Sequence, residues 1–209
     1  MNFLKVMYLI LLLLFIFPSQ SFGELITDKL IVDANAKYKM FAKNRFEAIR
    51  KELLNGLKDK TDIEKLEAVN DWYNFMQYKS DQQVYGMSDY WATLYEFVGK
   101  GMGDCEDYTI AKYYTLKELG IDPNRMKFTY VVYKSRSGQN ISHMVLAYLK
   151  VPRPKSKEDI LILGNINQRV LPASRRPDIV KVVKMINGDT GAQSKKWKQL
   201  DFDMKRKKL

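Results

Sequence analysis

The chain contains a single cysteine and a single histidine among its 209 residues. A lone cysteine leaves no intramolecular disulfide to form, which excludes the disulfide-braced scaffolds common among small secreted proteins. A hydrophobic content of 46% with 12% aromatic residues excludes a disordered chain. Any thiol or imidazole chemistry must therefore use Cys105 and His143, the only residues of their kinds.

Long apolar runs are also scarce, and the longest one lies near the start of the chain. Residues 6–17 are all apolar, follow a short basic start and end at Pro18. This run is shorter than the ~20 residues that a membrane-spanning helix needs. Ser21 and Gly23 stand where a signal peptidase reads small residues. Residues 1–23 are therefore predicted to be a cleaved secretory signal peptide, and an uncleaved N-terminal anchor is the alternative.

The chain has few acidic side chains relative to basic ones, and its net charge is +11. Residues 1–23 hold one charged side chain, Lys5, so an exported chain that begins near Glu24 keeps a charge of +10. This basicity predicts attraction to an anionic partner or membrane surface, although a simply soluble basic surface explains it equally well. Nucleic acid is not expected as a partner, because exported proteins seldom meet it.

Hydrophobic periodicity divides residues 24–190 into helices followed by strands. Helical spacing covers residues 35–57, 61–78, 93–99 and 105–119, and strand patterns cover residues 127–134, 142–149, 160–163 and 179–186. Residues 79–90 are polar and predict a loop. This order predicts one α+β domain, in which N-terminal helices pack on an antiparallel meander. Residues 191–209 are basic and polar, which predicts a loose tail.

Cys105 lies at the predicted start of the fourth helix. Unpaired backbone N–H groups and the positive end of the helix dipole meet there, which favours a thiolate and can stabilise an oxyanion. His143 begins a predicted strand 38 residues later. A helix packed on a sheet can bring its start against a strand end, so a nucleophile and its base are one interpretation. A buried filler cysteine and a surface histidine are the other.

Three carboxylates surround the cysteine, at Asp104, Glu106 and Asp107. Helix capping by Asp104 and Asp107 explains two of them. Three hard oxygen ligands within four residues also suit Ca²⁺, which takes ~6–8 oxygens. Flanking negative charge raises the pKa of a thiol, so we expect a protonated His143 or a bound cation to offset it.

Four segments of the chain resemble the bacterial transglutaminase-like cysteine proteinases. They are residues 91–97, 103–114, 143–148 and 171–176, and they occur in the order of the family. The Gly-Asp-Cys-Glu-Asp-Tyr block at 103–108 is specific, whereas the others are weak alone. The resemblance covers about residues 35–190 and implies the papain/transglutaminase-like cysteine proteinase fold.

The resemblance implies a periplasmic, calcium-dependent endopeptidase. Members of this family cut the N-terminal region of large repeat adhesins, commonly between two alanines, and so release cells from biofilms. An inner-membrane receptor for cyclic di-GMP sequesters them when that messenger is abundant. Matched by position, Cys105 is the nucleophile and His143 the general base. Asp104 and Glu106 match calcium-binding acids, and Asp107 is a further candidate ligand.

One position departs from the family pattern. The third catalytic member of the family is an Asp in a Leu-Asp-Asn segment, and residues 163–165 read Leu-Gly-Asn here. Gly164 has no side chain to orient an imidazole, and Asn165 points to the opposite face of a regular strand. Asn167 or Asp159 would take the role only with a bulge or a register shift. In a serine protease, replacing the orienting Asp costs roughly 10⁴ in rate.

Three functions are compatible with the sequence. The first is an adhesin-processing cysteine endopeptidase, which the Cys105–His143 pair favours. The second is a catalytically weak or inactive family member that binds the adhesin or the membrane receptor as a competitor, which Gly164 favours. The third is a transglutaminase-like amidase that acts on another substrate.

Overall fold

The computed structural model describes residues 24–188 and 195–209. The predicted signal peptide at residues 1–23 lies outside the described residues. No helix in the two described stretches has the length and apolar content that crossing a bilayer requires.

Helices form most of the first half of the described chain. Their bounds are α1 Asp28–Ala48, α2 Asp62–Asn74, α3 Asp81–Val84, α4 Leu94–Lys100, α5 Cys105–Glu118 and α6 Lys195–Lys205. Ile49–Asn55 continues α1 as π-helical turns. Thr61 and Thr93 each form a capping box with the Glu three residues later, which confirms the predicted starts of α2 and α4. The first helix begins earlier than predicted because Thr27 caps it.

Five antiparallel strands form the main sheet, in the order β6-β5-β4-β3-β7. Their bounds are β3 Met126–Lys134, β4 Asn140–Leu149, β5 Ile160–Leu163, β6 Leu171–Pro172 and β7 Ile179–Asn187. A small parallel pair joins β1 Gln77–Tyr78 to β2 Met102–Gly103. Strands β3, β4 and β5 pair in sequence as the predicted meander. The short strand β6, which was not predicted, pairs with β5, and β7 returns to pair with β3. The last strand departs from the prediction because periodicity does not encode which sheet edge a strand joins.

The two faces of the sheet bury different side chains. Met144, Leu146 and Tyr148 of β4 pack into the large core that the sheet shares with the helices. Val145 and Ala147 point into a smaller apolar cluster on the opposite face. This alternation follows from the two-residue period of a strand. The prediction of an α+β domain with helices packed on an antiparallel sheet is confirmed.

The C-terminal residues differ from the loose tail predicted for residues 191–209. Residues 195–205 form α6, in which Trp197, Leu200 and Met204 are only 2–5% exposed. Beyond the helix, the carbonyl of Lys208 accepts a hydrogen bond of 2.7 Å from the hydroxyl of Thr93. The prediction is therefore wrong for residues 195–209. The many lysines give this segment a polar composition, which led to the prediction of a tail. Three apolar residues nevertheless recur at helical spacing, and they bury one face of the helix.

The start of α5 contacts the part of the β4 edge that β5 leaves uncovered. Strand β5 pairs with residues 146–149 of β4. Closer to the start of β4, the backbone N–H of Met144 donates a hydrogen bond to the sulfur of Cys105. The hydroxyl of Thr109 lies 2.8 Å from the carbonyl oxygen of Cys105 and 3.4 Å from that of Met144. These contacts hold the helix start against the strand.

Lys112 lies buried on the same helix, beneath the end of β5. Its Nζ donates to Oδ1 of Asn70 at 2.9 Å, to Oδ1 of Asn74 at 2.8 Å and to the carbonyl of Gly164 at 3.1 Å. Three acceptors match the three donors of an ammonium group. Lys112 therefore ties α2, α5 and the end of β5 together.

We expect Lys112→Met to lower the free energy of unfolding at pH 7 by about 3 kcal/mol, because each buried acceptor left without a donor costs ~1–3 kcal/mol. Lys51, which is exposed, provides the control: Lys51→Met should change the free energy by less than ~0.5 kcal/mol. Denaturant unfolding of both variants measures the difference.

The same variant tests the charge state of the buried lysine. Burial lowers the pKa of Lys112 from 10.5 to about 7. Between these two pH values the unfolded chain holds a proton that the folded chain lacks, so the contribution of Lys112 to stability rises with pH and falls as the pH drops towards 7. We expect the destabilisation by Lys112→Met to grow by about 1–2 kcal/mol between pH 7 and pH 9. A destabilisation that stays constant over this range would contradict the lowered pKa.

Candidate active site and metal centre

Cys105 is the first residue of α5. Two residues before it, the backbone of Gly103 lies in close contact with neighbouring side chains. A Cβ at Gly103 would lie 2.3 Å from Oδ2 of Asp107 and 2.7 Å from the ring of Phe97. Only glycine fits there without displacing its neighbours. The glycine that precedes the acidic block therefore lets the chain pass close to α4 and start a helix at the cysteine.

The structure brings Cys105 to the strand that carries His143. The sulfur of Cys105 accepts the N–H of Met144, which is the residue directly after His143. His143 itself is only 5% exposed. Its ring packs edge-on against Tyr133, with the ring centroids 5.8 Å apart. The only thiol and the only imidazole of the chain thus lie on two segments that are in direct contact.

The thiol of Cys105 is protonated in this arrangement. Its Sγ lies 3.0 Å from Oε2 of Glu106 and donates a hydrogen bond to it. Burial raises the pKa of Cys105 well above its ordinary value, and the carboxylates of Glu106 and Asp104 raise it further. Without a compensating positive charge, the acidic surroundings thus oppose the thiolate that the helix start favours.

The imidazole of His143 is neutral near pH 7. Burial lowers its pKa from 6.5 to about 4, and the positive charges of Arg176 and Lys112 act in the same direction. Its Nε2 is buried and has no hydrogen-bond partner among the described residues. A neutral imidazole is the form that accepts a proton from a nucleophile, although nothing fixes its orientation through Nε2.

Gly164 lies at the position from which a side chain would reach this nitrogen. A Cβ built on Gly164 would lie 3.9 Å from Nε2 of His143 and 3.3 Å from Cγ1 of Val145. The backbone of Gly164 is not left-handed, so the position is open to other residues after a small shift of Val145.

None of the three candidates for a third catalytic member forms a hydrogen bond with Nε2 of His143. Asp159 instead accepts the backbone N–H groups of Lys155 and Ser156, both at 3.0 Å. Oδ1 of Asn167 accepts the N–H of Arg169 at 3.4 Å. Oδ1 of Asn165 is buried and unpaired within the described chain. Strand β5 pairs with β4 over residues 160–163 without the bulge or register shift that these residues would need.

A cluster of acidic side chains lies beside the cysteine and includes two residues, Asp81 and Asp89, that the sequence did not predict as ligands. Carboxylate oxygens of Asp81, Asp104 and Asp107 lie within 4.8 Å of one another, and those of Asp81, Asp89 and Glu106 form a second such group. Asp81 is only 3% exposed. The polar composition of residues 79–90 predicts a loop. The pair of acids within this segment is the only sequence feature that could have indicated a metal ligand there.

Two of these carboxylates have oxygens that no protein group satisfies. Oδ1 of Asp81 and Oδ1 of Asp104 are buried without a hydrogen-bond partner among the described residues. Burial, with the negative charge of Glu106, raises the pKa of Asp104 to about 9. Unpaired oxygens and concentrated negative charge fit a hard divalent cation such as Ca²⁺, which binds several carboxylates at once.

Asp107 has a structural role in the same cluster. Its Oδ1 accepts the N–H of Ala92 at 2.9 Å, and its Oδ2 accepts the N–H of Asp104 at 3.3 Å. The capping explanation therefore holds for Asp107. The unpaired oxygens of Asp81 and Asp104 are left as those that a cation would satisfy first.

Comparisons with known proteins agree with this geometry. A family model described as bacterial transglutaminase-like cysteine proteinase matches residues 33–204. A comparison with curated proteins found no match. Among solved structures, Legionella pneumophila LapG is similar with a TM-score of 0.68 and 34% identity, over 86% of this chain and 96% of that one.

Two further structures of that protein are similar to this chain. The calcium-bound form has a TM-score of 0.66 and 31% identity, over 84% of this chain and 98% of that one. The EGTA-treated form has a TM-score of 0.67 and 32% identity, over 86% and 96%. The family model spans most of the chain, and the likeness covers nearly the whole of the solved structures. The family resemblance and the predicted fold are confirmed: the chain belongs to the bacterial transglutaminase-like cysteine proteinases.

Proposed function

We propose that this protein is a calcium-dependent cysteine endopeptidase in which Cys105 is the nucleophile and His143 the general base. The observation that carries the proposal is the contact between the helix start and β4, where the hydroxyl of Thr109 lies within reach of the carbonyls of both Cys105 and Met144, the residue next to His143. Family membership adds that the fold is that of a cysteine proteinase.

The geometry suits acyl-enzyme chemistry. The neutral imidazole of His143 takes the thiol proton, and the thiolate of Cys105 attacks the scissile carbonyl. Backbone N–H groups at the start of α5 stabilise the oxyanion of the tetrahedral intermediate. His143 then gives its proton to the leaving amine as the peptide C–N bond breaks. A water molecule, deprotonated by His143, hydrolyses the thioester and restores the thiol.

The acidic cluster would hold the calcium ion. Asp81 and Asp104 offer unpaired oxygens, and Glu106 and Asp89 offer further carboxylates. Bound calcium supplies positive charge that offsets these carboxylates. With the charge of Glu106 offset in this way, the pKa of Cys105 would fall, which favours the reactive thiolate.

The family resemblance extends the proposal to a substrate, a location and a regulator. The substrate is the N-terminal region of a large biofilm adhesin, cut at a pair of alanines. The predicted signal peptide supports a periplasmic location. The regulator is an inner-membrane receptor for cyclic di-GMP that sequesters the enzyme.

One observation favours a second function, that of a weak or inactive member which binds the adhesin or the receptor as a competitor. Nε2 of His143 is buried without a partner among the described residues, and Gly164 occupies the place from which a side chain would reach it. An imidazole that is not held through this nitrogen samples more orientations, which slows proton transfer.

We expect the purified protein to cleave an adhesin N-terminal fragment that contains an Ala-Ala pair in the presence of Ca²⁺, and to lose this activity in EGTA. Cys105→Ala should lower the rate by at least about 10³-fold, because no other thiol is present. Gel analysis of the fragment measures both effects. Cleavage that persists in Cys105→Ala would exclude the proposed nucleophile.

We expect Ca²⁺ to make the thiol more reactive. Alkylation by iodoacetamide at pH 7 reports on Cys105 alone, and each unit by which its pKa falls increases the thiolate fraction about tenfold. Ca²⁺ should therefore speed alkylation by about tenfold or more relative to EGTA. Mass spectrometry of the intact protein follows the reaction.

Glu106→Gln is the matched variant for this measurement. It removes the charge that accepts the thiol proton, so alkylation in EGTA should be faster than in the wild type, and the further gain from Ca²⁺ should shrink. Equal rates in all four conditions would show that the carboxylate does not control the thiol.

We expect Gly164→Asp to raise kcat/KM for cleavage by about tenfold or more, because a carboxylate at this position would accept the N–H of Nε2 and orient His143. Gly164→Ala is the control, since it adds the same Cβ beside Val145 without a carboxylate. If Gly164→Asp is no faster than Gly164→Ala, the orientation of His143 does not limit the rate.

A further inference from the structure

A large cleft opens at the end of the main sheet, next to the imidazole. Its volume is about 1020 Å³, and it lies between the β3–β4 hairpin, the loop after β5 and the segment that leads into β7. Tyr133 both lines this cleft and packs against the ring of His143. Tyr133 therefore connects the cleft to the imidazole.

The cleft carries uncompensated positive charge. Arg136, Arg169 and Arg175 line it, and all three are exposed. Within the described residues none of the three forms an ion pair. Asp178 also lines the cleft, but its carboxylate is already held by Arg176, whose Nε and Nη2 donate to it at 2.9 and 2.7 Å.

Apolar side chains line the cleft together with these arginines. Ile141 is 46% exposed and Ile166 is 43% exposed, and both line the cleft. Guanidinium groups bind carboxylates with two parallel hydrogen bonds. The apolar side chains that line the cleft beside the arginines can contact the aliphatic parts of a peptide. A uniform polyanion has no such parts, so a peptide fits the cleft better.

We propose that this cleft is a substrate subsite that binds acidic residues flanking the scissile bond. The arginine subsite, defined here as Arg136, Arg169 and Arg175, then selects polypeptide segments with Glu or Asp close to the cleavage position. The inference rests on the proposed function, because it takes the cleft to continue the active site, but it concerns binding and not the chemical step.

The test measures binding to Cys105→Ala protein with Ca²⁺, which holds a substrate without cutting it. The probes are two fluorescein-labelled peptides of twelve residues with a central Ala-Ala pair, one flanked by Glu and the other by Gln at the same positions. Fluorescence anisotropy should show about five- to tenfold tighter binding of the Glu peptide in low salt. The preference should shrink as salt screens the charges.

Matched variants locate the preference. Arg169→Gln combined with Arg175→Gln should remove most of it, whereas Arg153→Gln should leave it unchanged, because Arg153 is an exposed arginine that does not line the cleft. An equal loss in Arg153→Gln would overturn the proposal in favour of net charge. Equal affinity for the Glu and Gln peptides would overturn it directly, and so would tighter binding of a twelve-nucleotide oligothymidylate.

These outcomes are separate from those of the proposed function. Cleavage without a preference for the Glu peptide would leave the endopeptidase in place and remove the arginine subsite. Tighter binding of the Glu peptide without cleavage by the wild type would leave the arginine subsite in place and remove the endopeptidase.

Discussion

The site depends on one packing contact, between the start of α5 and the edge of β4 that β5 leaves uncovered. A strand edge presents unpaired N–H and C=O groups, and a helix start presents groups of its own that need partners. Here the N–H of Met144 meets the sulfur of Cys105, and the hydroxyl of Thr109 lies within reach of the Met144 carbonyl. Because β5 is only four residues long, the edge stays free for the helix. A longer β5 would pair with that edge and exclude the cysteine.

The electrostatics of the site disfavour the thiolate–imidazolium pair that the proposed mechanism uses. Burial and the nearby carboxylates raise the pKa of Cys105, while burial and nearby cations lower that of His143 to about 4. Both shifts favour the neutral pair over the thiolate–imidazolium pair. The carboxylates of the acidic cluster thus disfavour the thiolate. They would also bind a divalent ion, which would reverse the sign of the local charge and so favour the thiolate. In the proposed function, a requirement for calcium would follow from this charge balance at the nucleophile.

The charges around the imidazole come from different parts of the fold. Lys112 reaches the end of β5 from α5, and Arg176 lies beyond β6, with its charge balanced by Asp178. The arginine subsite lines the cleft that Tyr133 shares with His143, whereas the acidic cluster lies beside Cys105. The site thus has negative charge beside the cysteine and positive charge beyond the histidine. This asymmetry would set the orientation of a charged substrate.

By itself, the sequence determined most of the helices and strands, and it limited any thiol or imidazole chemistry to Cys105 and His143. Capping boxes at Thr61 and Thr93, strand alternation in β3 and β4, and the single Cys and His are all local features. Only the tertiary structure decided which edge β7 joins, that residues 195–205 form a helix, and that Asp81 joins the acidic cluster. It also showed that Nε2 of His143 has no partner in the described chain and that Gly164 faces it. These outcomes depend on residues far apart in the chain that pack together, and no local pattern records which distant groups will meet.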